Sequence, residues 1–216
     1  MRGWAIRCKA EPMFVIVRHG NTFEAGETPR RIGARTDLPL TQTGRDQACA
    51  LGRYFAEHNV QFDSALIAPL LRTRETAQLI LAEQADPPDP QICDWLREID
   101  HGPDENRPEE VVLARIGQDA LDRWDATGEA PPDWNIDHAT RIAAWKQLFA
   151  QAAPTPSSPT LIVTSNGAAR FALLAEPALA RSMHQLPSLK LPTGGYGVIE
   201  VGEAGGLSAP VWGQRP

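Results

Sequence analysis

The chain has 216 residues, 42% of them hydrophobic, which is enough to bury the core of one compact domain with an insertion. Its formal net charge of −6, from 21 Lys and Arg against 27 Asp and Glu, disfavours a broad basic surface for nucleic acid. The three cysteines Cys8, Cys49 and Cys93 form no CxxC pair, so they support neither a disulfide framework nor a structural zinc site and favour the reducing cytoplasm.

Residues 1–12 contain no apolar run long enough for a signal peptide, and we predict that they form an N-terminal extension. The sequence contains no run of about 18 apolar residues, so it predicts no transmembrane helix and no membrane partner. Residues 13–216 form the predicted domain, in which β-rich runs alternate with helical patterns. In chain order, we predict a strand at 13–17, a helix at 43–58, a strand at 62–67, a helix at 70–83, a strand at 91–95, a helix at 137–152, a strand at 160–164, a helix at 168–174 and a last strand at 196–201.

This alternation predicts a three-layer α/β fold, in which a mostly parallel sheet has helices on both faces. Segment 103–136 fits the alternation less well, and we interpret it as a small cap insertion that contains Trp124, Trp134 and two helical pieces. In open parallel sheets ligands bind beyond the carboxyl ends of the strands. The residues that directly follow the strands are therefore the candidates for function.

The first of these segments is Arg18-His19-Gly20, directly after the first predicted strand. An imidazole has an ordinary pKa near 6.5, so its neutral, nucleophilic form is available at neutral pH. The adjacent guanidinium presents forked donors that match phosphate oxygens. Gly20 allows the backbone to approach an anion closely. The tripeptide therefore indicates a phosphate site, although it is a weak signal alone.

The segments after the other strands extend this pattern, and all of them occur between about residues 13 and 201. They are Arg30-Arg31-Ile32-Gly33, Asp37-Leu38-Pro39-Leu40-Thr41, Gly44, Gln47-Ala48, Ala68-Pro69-Leu70-Leu71-Arg72-Thr73, Thr76-Ala77, Leu96-Arg97-Glu98-Ile99-Asp100-His101-Gly102, Glu105, Thr164-Ser165-Asn166-Gly167 and Arg170. In this order they resemble the histidine phosphatase superfamily, which includes the cofactor-dependent phosphoglycerate mutases.

The resemblance implies a role for each matched residue. His19 matches the histidine that attacks phosphorus and becomes phosphohistidine, and Arg18 and Arg72 match the arginines that hold the phosphoryl group. Glu98 matches the acid that protonates the leaving oxygen and then assists the hydrolytic water. These roles agree with the chemistry, since phosphoryl transfer depends on positioning and on neutralising oxygen charge, and a covalent intermediate divides one displacement into two.

The largest departure from the family pattern is Ser165-Asn166-Gly167, where Ser-His-Gly is usual. Asn166 is the predicted phosphate-binding substitute, because its amide still donates a hydrogen bond, but it cannot carry positive charge. Losing that charge costs on the order of 2–4 kcal/mol of transition-state stabilisation. Ala25 stands where many mutases have a phosphate-contacting asparagine, and Asn21 is the candidate replacement. The candidates for a compensating cation are Arg30, Arg31, Arg170 and Lys190, and the less certain pocket residues are His101 and His184.

Other catalytic motifs are absent from the sequence, which has no GxxxxGK[ST] loop, no GxSxG elbow and no HExxH pair. The resemblance therefore implies hydrolysis of a small phosphorylated metabolite without a metal or another cofactor. Segment 98–105 looks more like the phosphatase branch than the mutase branch. The alternatives are an isomerase of the phosphoglycerate mutase type and a catalytically impaired relative that binds a phosphorylated ligand or a protein partner. No motif indicates the substrate or the oligomeric state.

Overall fold

The computed structural model describes residues 13–151, 159–182, 186, 188–202 and 205–216. Within them, strands alternate with helices along most of the chain. The strands are β1 (Met13–Arg18), β2 (Ser64–Ile67), β3 (Pro90–Ile92), β4 (Thr160–Thr164), β5 (Tyr196–Val201) and β6 (Leu207–Gln214). The helices are α1 (Gln42–Glu57), α2 (Leu71–Leu81), α3 (Glu109–Ile116), α4 (Gln118–Thr127), α5 (His138–Gln151), α6 (Asn166–Leu174) and α7 (Pro177–Ser182).

The described strands form one mixed sheet in the order β3-β2-β4-β1-β5-β6. Strands β3, β2, β4 and β1 are parallel, whereas β5 and β6 add an antiparallel edge. This confirms the mostly parallel α/β fold. The crossovers between the parallel strands run through helices, as βαβ connections require.

The central strand β1 is buried on both faces, which explains its unbroken apolar sequence. Val15 and Val17 pack with α1 and α2, in a core that includes Phe55 and Ile80. Phe14 and Ile16 point to the opposite face and belong to the second core, which contains the aromatic residues Trp145, Phe149, Phe171, Trp124 and Trp134. Helices therefore cover both faces of the sheet, and the three predicted layers are confirmed.

Segment 103–136 contains α3 and α4, and its interpretation as an insertion stays a prediction. Trp124 and Trp134 are buried in the second core. The Trp134 indole Nε1 also donates to Asp104 Oδ2 at 2.7 Å, and Arg115 Nε donates to Asp104 Oδ1 at 2.6 Å. The buried Asp104 carboxylate thus holds the segment together internally, and apolar packing of Trp124 and Trp134 fixes it to the domain.

The structure corrects two strand predictions. The sequence predicts a strand over 91–95, but β3 ends at Ile92 and a 3₁₀ turn follows at Asp94–Leu96. That turn lets Trp95 pack edge-on against Trp145, with ring centroids 5.0 Å apart. The sequence also predicts 196–201 as the last strand, but β6 follows it. Pro210 and Gly213 obscure β6, and an edge strand tolerates them because its outer side needs no ladder partner.

Candidate active site

The register of the parallel strands brings three predicted segments to one edge of the sheet. Arg18 at the end of β1 lies opposite Thr164 at the end of β4, and Ile67 of β2 lies opposite Val163. The pairing continues one step past β1, since His19 N donates to Thr164 O at 3.0 Å. His19 and the start of α6 are therefore neighbours at the carboxyl edge, where ligands of such sheets bind.

The His19 imidazole is buried, with 3% of its surface exposed, and both ring nitrogens have partners. Arg72 Nε donates to His19 Nε2 at 3.2 Å, so Nε2 must be the acceptor and the ring proton lies on Nδ1. Nδ1 is 2.8 Å from Gly20 O, which accepts that proton. Burial, followed by the charges of Arg72 and Arg18, lowers the pKa of His19 well below 6.5. The imidazole is thus neutral at physiological pH, with its Nε2 lone pair beside a guanidinium.

Arg72 lies in the first turn of α2 and is completely buried. Besides its contact with His19, its guanidinium donates through Nη1 to Thr36 O at 2.6 Å and through Nη2 to Gly33 O at 3.2 Å. The loop of residues 33–36 therefore fixes the plane of the guanidinium. Burial lowers the pKa of Arg72, while Glu98 and Asp37 oppose that shift, and the group remains a cation.

Arg18 and Asn166 both bind the backbone of Leu191. Arg18 Nη1 donates to Leu191 O at 2.8 Å, and Asn166 Oδ1 accepts from Leu191 N at 3.0 Å. This contact fixes the orientation of the Asn166 amide, so its nitrogen points away from Leu191. Helix α6 begins at Asn166, two residues before the predicted start, which places this residue in the first helical turn.

Two polar atoms on this side are buried without a hydrogen-bond partner among the described residues. They are Arg18 Nε and Ser165 Oγ. Such atoms are rare in native proteins, since each loses its hydration without compensation. Burial lowers the pKa of Arg18 to about 10, opposed by the charge of Glu98 and assisted by that of Arg72. Arg18 Nε and Ser165 Oγ are therefore candidate donors for an anionic ligand.

The Glu98 carboxylate is 5% exposed and lies at the N-terminus of α6. Its Oε2 accepts from Gly167 N at 3.0 Å, and its Oε1 accepts from Ile99 N at 2.9 Å. A Cβ on Gly167 would lie 2.4 Å from Glu98 Oε1, so this close approach requires glycine. Glu98 also interacts electrostatically with Arg18 and Arg72, which places a carboxylate within the field of both cations.

The structure thus brings His19, Arg18, Arg72, Glu98 and Asn166 together at one edge.

Asn21 has different contacts, since its Nδ2 donates to Phe23 O and Thr41 Oγ1, and its phosphate-binding role stays a prediction. The candidates for a compensating cation are each paired elsewhere: Arg30 with Glu27, Arg31 with Glu109, and both Arg170 and Lys190 with Asp125. His184 lies outside the described residues.

Sequence reasoning missed several groups that hold the site. Leu191 N and O, and the carbonyls of Gly33 and Thr36, are backbone atoms, for which no side-chain pattern gives a signal. Arg141 of α5 is also new, and its Nη1 donates to Arg97 O at 2.7 Å, next to Glu98. No sequence signal distinguishes Arg141, because α5 also contains Lys146 and buries only Trp145 and Phe149.

The described residues hold no group of three or more His, Cys, Asp or Glu side chains placed to bind a metal ion. None of their helices is long and apolar enough to cross a membrane.

The fold and the arginine-flanked imidazole define an α/β protein with a cationic site at the carboxyl edge of its sheet. The chain belongs to the histidine phosphatase superfamily (branch 1), whose family model matches residues 14–210. This confirms the family resemblance of the sequence.

Among similar curated proteins, a 2,3-bisphosphoglycerate-dependent phosphoglycerate mutase of Rhizobium etli is 34% identical over 119 residues, which are 55% of this chain and 56% of that protein. The chain thus spans little more than half the length of this relative. The phosphoglycerate mutase 2 of Gloeobacter violaceus is 30% identical over 168 residues, or 76% of this chain and 74% of that protein. The solved mycobacterial glucosyl-3-phosphoglycerate phosphatase has a TM-score of 0.72 at 22% identity, covering 93% of this chain and 98% of its own.

Proposed function

We propose that this protein hydrolyses a small phosphomonoester through a phosphohistidine formed on His19. The observation that supports this most directly is the neutral tautomer of His19, with Nδ1–H held by Gly20 O and Nε2 beside Arg72. A nucleophile must present a lone pair rather than a proton. The two arginines neutralise charge on the transferred group, which is the main requirement of phosphoryl transfer.

In the first step, the His19 Nε2 lone pair exchanges its hydrogen bond from Arg72 Nε for a bond to phosphorus, while the ester P–O bond breaks. Glu98 is the proposed general acid that gives the leaving oxygen its proton. In the second step, a water oxygen attacks phosphorus, Glu98 takes the water proton and the P–N bond breaks. Inorganic phosphate then leaves, and His19 returns to its neutral form.

Hydrolysis is supported by the solved mycobacterial neighbour, which is described as a phosphatase of glucosyl-3-phosphoglycerate. The proposed substrate is a small phosphorylated metabolite in the cytoplasm, where the free thiols of Cys49 and Cys93 are stable. The Asn166 amide supplies a neutral donor in place of the charged second histidine of the family.

A screen of phosphorylated metabolites and a generic aryl phosphate, with His19→Ala beside it, tests this proposal. We expect His19→Ala to lose more than about 10³-fold in kcat/KM, since the nucleophile is removed. An acid-labile phosphoryl adduct, detected by mass spectrometry after rapid quench, is expected only when His19 is present. His58→Gln, in a side chain bonded to Tyr54 O in α1, is the matched control. Normal turnover by His19→Ala would refute the assignment.

The second candidate function is an isomerase of the phosphoglycerate mutase type, which the names of the curated relatives favour. A mutase returns the phosphoryl group to a second hydroxyl, whereas a phosphatase transfers it to water. Product analysis on 3-phosphoglycerate and on the aryl phosphate separates the two. We expect inorganic phosphate from both, and rapid interconversion of phosphoglycerates without phosphate release would favour the isomerase.

A further inference from the structure

The Glu105 carboxylate is hydrogen-bonded on both oxygens and lies away from His19. Its Oε1 accepts from Gly33 N at 2.9 Å, from Arg35 N at 3.1 Å and from Thr36 Oγ1 at 2.7 Å. Its Oε2 accepts from His101 N at 3.2 Å and lies 3.5 Å from His101 Nδ1. One carboxylate with a side chain that is only 7% exposed thus binds most of loop 33–36 and the turn at His101.

The opposite side of the same loop binds Arg72. Gly33 donates its N–H to Glu105 and offers its C=O to Arg72 Nη2, while Thr36 donates its hydroxyl to Glu105 and offers its C=O to Arg72 Nη1. Glu105 and Arg72 are therefore linked through Gly33 and Thr36, which bind one of them on each side.

Gly33 leaves this arrangement little freedom. A Cβ at that position would lie 2.3 Å from Glu105 Oε2 and 2.4 Å from Ile99 O. The loop is thus pressed directly against the carboxylate. Burial alone would raise the pKa of Glu105, but hydrogen bonds from His101, Thr36 and the backbone lower it to about 2. The group is consequently an anion throughout the physiological range.

We propose that Glu105 is a positioning residue for phosphoryl transfer, whose carboxylate fixes loop 33–36 and thereby the Arg72 guanidinium against His19 Nε2. This inference rests on the proposed function of His19. The chain of contacts is Glu105 to loop 33–36, loop to Arg72, and Arg72 to His19. Glu105 has no hydrogen bond to His19 among the described contacts, although its charge also acts on Arg72. Its effect on rate arises from the placement of Arg72, where an error of about 1 Å costs on the order of 10²-fold.

Glu105→Gln tests the proposal, because the amide keeps the shape of the side chain but replaces one accepting oxygen with a donor. We expect kcat to fall about 10- to 100-fold and the affinity for inorganic phosphate to weaken. The matched control is Glu129→Gln, in an exposed side chain of the same segment that pairs with Arg123 at 3.0 Å. This control is expected to retain wild-type rates. Thr36→Val, which removes one donor to Glu105 but keeps the Thr36 carbonyl, is expected to shift the rate in the same direction by a smaller factor.

A second readout needs no turnover and separates this inference from the proposed function. The ¹⁵N resonances of His19 Nε2 and Arg72 Nε, recorded without substrate, are expected to shift in Glu105→Gln and to stay in place in Glu129→Gln. Unchanged resonances together with wild-type rates in both Glu105→Gln and Thr36→Val would overturn the inference, even if His19 proves to be the nucleophile. If Glu105→Gln does not fold, Thr36→Val alone decides by the same two measurements. Normal turnover by His19→Ala would instead refute the proposed function, while the resonance test of the positioning contact would still stand.

Discussion

The two sides of the His19 imidazole differ in how completely their polar groups are paired. On one side, here called the Arg72 side, all three guanidinium nitrogens of Arg72 donate, to His19 Nε2 and to the carbonyls of Gly33 and Thr36. On the other, the Arg18 side, Arg18 Nε and Ser165 Oγ are buried without a partner among the described residues. The Arg72 guanidinium is therefore fully hydrogen-bonded within the protein, whereas the Arg18 side has two polar atoms with no protein partner among the described residues.

This difference separates two requirements of phosphoryl transfer. The nucleophile must be oriented in advance, and a rigid hydrogen-bonded frame does this without a ligand. The phosphoryl oxygens, however, need donors that are not already satisfied by protein. The proposed function assigns the first requirement to the Arg72 side, and the second to the Arg18 side and the Asn166 amide nitrogen. Substitutions on the two sides should consequently differ in their effects on kcat/KM and on the His19 tautomer.

The largest expected difference is between Arg72→Lys and Arg18→Lys. A lysine at position 72 has its donors on one nitrogen, which cannot reach the three acceptors that Arg72 binds through three separate nitrogens. We therefore expect kcat/KM to fall about 10²–10³-fold. Arg18→Lys loses donors to the ligand but no contact with His19, and we expect a loss about tenfold smaller. Steady-state rates on one aryl phosphate measure both. In ¹⁵N spectra of the free protein, only Arg72→Lys is expected to disturb the His19 tautomer. Equal losses with the same tautomer would remove the distinction between the two sides.

On both sides, the sequence predicts the side chains better than the backbone groups that hold them. Arg18, His19, Arg72 and Glu98 directly follow or closely trail strands, so the rule for parallel sheets places them at one edge without knowledge of the tertiary contacts. The sequence did not predict the backbone groups at the site, because a backbone N–H or C=O has no residue-type signature. These groups are the carbonyls of Gly33 and Thr36 and the N–H and C=O of Leu191. Strand β6 escaped for a local reason, since Pro210 and Gly213 interrupt its pattern. The pairing of Arg18 with Leu191 joins residues far apart in the chain, which no periodicity can reveal.

A smaller effect is expected from substitutions of Asn166 on the Arg18 side. Asn166→Asp keeps the oxygen that accepts from Leu191 N but replaces the amide donor with a negative charge beside Arg18. We expect kcat/KM to fall about 10- to 100-fold through repulsion of the phosphate, with little change in melting temperature. Asn166→His restores a donor that can carry charge but loses the oxygen that accepts from Leu191 N, so we expect only part of the roughly 2–4 kcal/mol to return and the rate to rise about tenfold.

These two variants also address the third function considered for the sequence, an impaired relative that binds a phosphorylated ligand. A rise far above tenfold in Asn166→His would favour that role, since the native site would then lack most of its catalytic power. An Asn166→Asp rate equal to wild type would show that the amide nitrogen makes no contact with the phosphoryl group. Aryl phosphate turnover and inorganic phosphate binding, measured on the same preparations, separate rate from affinity.

The smallest expected effect concerns the pH dependence of stability. Because the pKa of His19 is lowered well below 6.5 in the folded protein, the unfolded chain binds this proton first as the pH falls. The stabilisation from the neutral, buried imidazole is therefore complete above the unfolded pKa and is lost progressively below it. With an unfolded pKa of about 6.5, the loss between pH values of about 7.5 and 5.5 is about 1.4 kcal/mol.

Urea unfolding of wild type and His19→Gln at those two pH values measures this loss, because the contributions of all other groups cancel in the double difference. Glu105 does not interfere, since its pKa shifts from 4.5 to about 2 and its stabilisation is lost only as the pH falls through that lower range. We expect the wild type to lose about 1.4 kcal/mol more than the variant on acidification. An equal loss in both proteins would mean that His19 accepts a proton in the folded state near its ordinary pKa. Arg72 Nε would then face a protonated Nε2, and the claim that the Arg72 side prepares the nucleophile in advance would fail.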